Sequence, residues 1–164
     1  MRITQIDSFG FNDVDDKVIG AVEKVKQVIS SAPFNVTSLG IPSAKRNLIS
    51  YFRAEGFATS IRPDPAMRWS VHAMSTSRLI VHLAFGNVAN AMYELMKCEH
   101  YFRNSFSMAT VFVIPERALA RELGSNIADF EKIEREFDTS FVNVLRMPFT
   151  LIGIGDTDDT PVVD

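Results

Sequence analysis

The sequence holds a single cysteine, Cys98, in 164 residues, so no internal disulfide can form, and a reducing compartment is expected. It also lacks any apolar run approaching the roughly 20 residues that span a bilayer. The opening MRITQIDSFG has no signal-peptide core. These absences predict a soluble cytoplasmic protein with no membrane partner. An excess of positive charge is missing too: 17 Lys and Arg stand against 20 Asp and Glu, which argues against a partner held by charge alone. Four of the acids fall in residues 155–164 (GDTDDTPVVD), which carry no base, so the remainder is close to neutral and can still present a basic cleft. The sharpest gap is internal, because no Asp or Glu occurs between Asp64 and Glu94.

With 46% hydrophobic residues and no repeat or low-complexity linker, the chain reads as a single domain over residues 1–154 followed by a flexible acidic tail, 155–164. The pattern predicts a strand over Arg2–Ile6, then a helix over Val14–Ser31, whose stripe Val14, Val18, Val22, Val25 and Ile29 lies behind an Asn12/Asp13 cap. Residues 32–42 contain Pro33, Gly40 and Pro42 and read as loop. Ser43 is expected to cap a second helix that buries Leu48, Ile49 and Phe52 and stops at Gly56. Alternating segments follow at 58–62, 68–72 and 78–85. A long helix is expected from Asn87 to Arg103, an apolar strand at 109–114, helix-forming stretches at 116–123 and 126–137, and a last apolar strand at 149–154. Uninterrupted apolar strands between helices imply a sheet covered on both faces, hence α/β.

In the run Leu79-Ile80-Val81-His82-Leu83-Ala84-Phe85-Gly86-Asn87, strand alternation puts Leu79, Val81, Leu83 and Phe85 on one face and Ile80, His82 and Ala84 on the other. This run resembles the Glu-x-Gln-Phe-Gly-(Asn/Lys) strand of the BglII/BstYI group of type II restriction endonucleases in the PD-(D/E)XK superfamily. Four further segments, in the same order, are similar to segments of that family: SAKRNLISYFRAEGF at 43–57, MATVFVIP at 108–115, ERALARELGSNIADFE at 116–131 and PFTLIGI at 148–154. The resemblance implies a restriction-endonuclease-like core with a mixed central sheet flanked by helices on both faces, and a homodimer that binds duplex DNA. Leu48, Phe52, Met92 and Met96 on the 43–56 and 88–103 helices are the apolar candidates for the dimer interface.

The same resemblance implies Mg²⁺ held by an Asp, a Glu and the residue two beyond it, acting on water and on the departing 3′-oxygen. Those places fall on Ala73, His82 and Ala84, so none of the three carries a carboxylate. The gap from Asp64 to Glu94 means that no small shift of register restores one. Two readings follow. In one, the scaffold is catalytically degenerate, needs no cofactor and keeps DNA binding. In the other, Glu55, Asp64, Glu94 or Glu99 reaches the cleft from a neighbouring segment and an Mg²⁺-dependent endonuclease survives. A third reading is a protein-interaction module on the same scaffold.

The candidate DNA-binding residues are Lys45, Arg46, Arg68, Arg78, Ser125 and Asn126, each with an ordinary solvated or capping role as its alternative. Arg68 and Arg78, with His72 and His82, form a set that favours an anion over Mg²⁺. His72 and His82 lack a third ligand for a transition metal, so no metal is expected. Cys98 and His100 are two apart on a helix and diverge, and Trp69 and Tyr101 suit core packing or base stacking.

Overall fold

A computed structural model describes residues 1–11, 14–141 and 144–157. Strand β1 (Arg2–Phe9) leads to α1 (Asp16–Ser31), α2 (Val36–Leu39) and α3 (Ile41–Ala54). Then come β2 (Ala58–Ile61), β3 (Val71–Met74), β4 (Leu79–Leu83), α4 (Val88–Arg103), β5 (Ala109–Pro115), α5 (Arg117–Leu123) and α6 (Phe130–Glu136). A π-helical turn, Phe137–Phe141, and β6 (Phe149–Gly155) follow. The six strands form one mixed sheet in the order β1-β6-β5-β4-β3-β2. Pairs β4–β5 and β5–β6 are parallel and the outer pairs antiparallel.

Alternation along the central strands divides the interior into two cores. Leu79, Val81, Leu83, Val111, Val113, Ile152 and Ile154 face α1 and α3, whereas Ile80, Ala84, Phe112, Ile114, Phe149 and Leu151 face α4 and α6. The α/β arrangement expected from the apolar runs is therefore present. No helix among the described residues is long and apolar enough to cross a membrane.

Several local boundaries differ from the sequence reading for identifiable reasons. The cap of α1 is Asp15, whose carboxylate accepts from the Lys17 amide, while Asn12 and Asp13 lie outside the described residues. Helix α3 begins at Ile41, with Pro42 supplying a first-turn residue that needs no amide partner. Within the expected loop, α2 forms because Asp156 reaches across from the end of β6 and accepts the Val36 and Thr37 amides at 2.7 and 2.9 Å. Residues 155–157 thus belong to the fold and not to a flexible tail, and residues 158–164 lie outside the described part. Leu48 and Phe52 are wholly buried in the core under α3 and have no surface to give a dimer interface.

Candidate active-site cleft

Ligands of open α/β sheets bind beyond the carboxyl ends of parallel strands. At that end of β4, the antiparallel β3 begins, the Gly86-Asn87 turn enters α4, and residues 124–128 return alongside through an Asn87–Ile127 bridge and an Ala128 N–H to Gly86 O bond of 2.8 Å. Asn87 caps α4 by accepting the Asn90 amide at 2.8 Å, which fixes where the helix starts.

Ala73 pairs with Val81 across β3 and β4, and continuing that register sets His72 opposite His82. Their rings are 4.5 Å apart between centroids and meet edge to face. The Leu83 amide donates to His72 Nδ1 at 3.2 Å, so in the neutral ring the proton must sit on Nε2. His82 is buried beside Phe112, and its Nδ1 lies 3.4 Å from Glu94 Oε2, a neighbour that favours the proton on Nδ1. Glu94 also forms an ion pair with Lys97, one turn further along α4. Lys97 is only 6% exposed, an unusual place for an ammonium group unless it is paired, and its Nζ lies 5.9 Å from the Tyr93 ring centroid. From the other side of the sheet Lys45 leans over the Phe85 ring, with Nζ 5.8 Å from its centroid.

The electrostatics of this corner are set by burial and by two cations. Burial lowers the His72 pKa to about 4, with Lys45 and Lys97 adding to the effect. Burial depresses His82 further below its ordinary value, assisted by His72, Lys97 and Lys45. The Lys45 pKa is lowered by burial and partly restored by Glu94. Both imidazoles are therefore neutral at pH 7. Between pH 6.5 and about 4 the unfolded chain takes up a proton that the folded His72 refuses, so stability falls as pH drops through that window. Urea midpoints measured across it should decline with acidity, and a His72→Gln variant should decline less steeply; parallel profiles would contradict the half-buried placement of His72 beside Lys45 and Lys97.

The residues proposed from sequence do not all assemble here. Ala84 shares the His82 face as expected, but Ala73 does not. It is wholly buried in the opposite core with Leu79 and Val81, because directly paired residues share a face, and the place opposite His82 belongs to His72. Arg78 stands at the far end of β4, in a left-handed conformation (φ 62°), and ties the turn after α4 through bonds to Ser105 O (2.7 Å) and Met108 Sδ (3.1 Å). About four strand residues, or roughly 13 Å, separate it from His82, so it is not part of the cleft. Arg68 is exposed on the segment entering β3, at the cleft end.

Lys45 and Arg46 diverge: Lys45 turns inward, whereas Arg46 is exposed and bonds Ser43 Oγ at 3.0 Å. Ser125 and Asn126 are exposed in the loop beside Asn87, but the next helix starts at Phe130 with Asp129 as its cap, so they do not sit at a helix N-terminus.

Of the four candidate carboxylates only Glu94 reaches the cleft. Glu55 pairs with Lys24 at 3.3 Å, Asp64 accepts the Ala66 amide, and Glu99 is bonded to Arg103 and to the Arg146 and Met147 amides. Among the described residues no group of three or more His, Cys, Asp or Glu could hold a metal ion. Cys98 is sealed in the core, with burial pushing its thiol up to about 12, and Tyr101 is buried with its hydroxyl on Trp69 O at 2.9 Å. Lys97 escaped the sequence reading. Its signal was the Glu94-x-x-Lys97 spacing beside the apolar Leu95 and Cys98, which matches a surface ion pair as well as a cleft one.

The whole chain can be compared with solved structures. The restriction endonuclease BglII complexed with a DNA 16-mer superposes with a TM-score of 0.73 at 11% identity, over 98% of this chain and 81% of that one. Free BglII gives 0.58 at 10% identity, over 98% and 82%. No protein-family model matches the sequence, and no curated protein matches it. The fold is that of a BglII-like restriction endonuclease.

Proposed function

We propose that this protein binds duplex DNA as a homodimer on a restriction-endonuclease-like scaffold that no longer performs Mg²⁺-dependent hydrolysis. The observation that carries the reading is the Lys97–Glu94 ion pair beside His72 and His82: Glu94 already has a cation, and among the described residues no group of three or more His, Cys, Asp or Glu could supply the ligand set that Mg²⁺ requires. Relocated-ligand catalysis needs at least one more carboxylate, and Glu55, Asp64 and Glu99 are committed elsewhere.

Duplex contact rests on Arg68 and Lys45 at the carboxyl end of β4, with Ser125 and Asn126 in the loop alongside and Arg46 exposed on the outer face of α3. A few phosphate contacts give weak, sequence-tolerant binding whose logarithmic salt slope is roughly −0.9 per contact. Fluorescence anisotropy on a mixed pool of duplexes should show that slope. Arg68→Ala should reduce it by about 1, while Arg78→Ala should leave it unchanged, because Arg78 holds a turn. Salt-insensitive binding would favour a protein-interaction module.

For the dimer, the outer face of α4 offers Tyr93 and Met96, 49% and 45% exposed, in place of the buried Leu48 and Phe52. Light scattering at micromolar concentration should give a dimer mass, reduced to that of a monomer by Met96→Glu; a monomeric parent protein would contradict it.

A further inference from the structure

We propose that the corner formed by Lys45, His72 and Lys97 is a phosphate subsite that binds the anion directly, with no metal between. The inference deepens the DNA-binding reading and rests on it for the source of the phosphate, a nucleic-acid backbone. Three elements supply the donors: Lys45 from α3, His72 from β3 and Lys97 from α4. The Leu83 amide occupies His72 Nδ1, so the ring offers Nε2–H, a donor to an anion and no lone pair for a metal. Among the described residues, Lys45 over the Phe85 ring and Lys97 paired to Glu94 set two ammonium groups against that one carboxylate, a surplus positive charge that an oxyanion offsets. Lys45 and His72 remain half-buried and in touch with solvent, which gives the anion a way in.

The groups facing His72 are His82, Lys45, Lys97 and, through Lys97, Glu94. A bound phosphate accepts from the Nε2–H of neutral His72, since a second proton could go only to Nδ1, which accepts the Leu83 amide.

The chain has three histidines, His72, His82 and His100, so imidazole NMR on the full-length protein reads the site directly. Inorganic phosphate should shift the His72 and His82 resonances saturably and leave His100 in place. Lys45→Met should weaken that response roughly tenfold or more, and Lys45→Arg should retain it. Lys97 is left intact because its loss strands Glu94. Equal shifts at all three histidines, no saturation, or a micromolar Zn²⁺ response at His72 would overturn the subsite.

A duplex titration separates the two claims. If DNA binds the protein but moves neither histidine, the subsite fails and the DNA reading stands. If phosphate moves both and the duplex does not bind, the subsite stands and the DNA reading fails.

Discussion

An Ala73→Asp variant is expected to lose about 3–5 kcal/mol of folding stability, a large share of the roughly 5–15 kcal/mol that folded domains have. Ala73 is wholly buried against Leu79 and Val81, and a carboxylate there meets no cation and no hydrogen-bond donor. His72→Asp is the contrasting case. It places the same group one residue earlier, half-buried beside Lys45 and Lys97, and should cost about 1 kcal/mol or less. Urea denaturation of the two variants compares them directly. Equal stabilities would mean that the β3–β4 register is not the one described. The pair also bears on where the family resemblance sets the metal ligands, on Ala73, His82 and Ala84. Rebuilding a metal site through Ala73→Asp, His82→Glu and Ala84→Gln aims one ligand into the wrong core, and the coherent set replaces Ala73→Asp with His72→Asp.

Glu99→Ala is expected to be comparably damaging, by about 3–5 kcal/mol. The Glu99 carboxylate is 3% exposed and accepts from Arg103 Nε at 2.5 Å, from the Arg146 amide at 3.0 Å and from the Met147 amide at 2.9 Å. It fixes the approach to β6, the strand that joins β1 to the parallel centre of the sheet. Truncation leaves an empty volume and two amides without an acceptor. Arg103→Ala should cost much less, since that side chain is half exposed and water can replace it. Calorimetric melting of both variants tests the asymmetry; a Glu99→Ala protein melting with the parent would show that the amides find other partners.

The fold was largely legible in the sequence because its central strands are unbroken apolar runs, and the alternation of 79–85 separates the two cores correctly. The candidate site was legible only along one strand. His82 and Ala84 follow from a period of two, which is local. Placing Ala73 relied on counting across a turn, and strand pairing is set by the hydrogen-bond ladder and not by residue number, so the count missed the facing residue by one. Lys97 and Lys45 reach the cleft from helices on opposite faces of the sheet, a proximity created by tertiary packing that no spacing encodes. Arg78 resembled a strand base, yet its left-handed backbone makes it a turn residue.

The central claim is duplex binding without metal-dependent cleavage. The most direct measurement is an anisotropy titration of end-labelled duplexes at low salt, in EDTA and then in Mg²⁺ at matched ionic strength, with strand length read from the same samples. The account predicts saturable binding in both conditions, with intact strands throughout. Absence of binding at low salt, or shortened strands that appear only with Mg²⁺ and vanish in a Glu94→Gln variant, would contradict it.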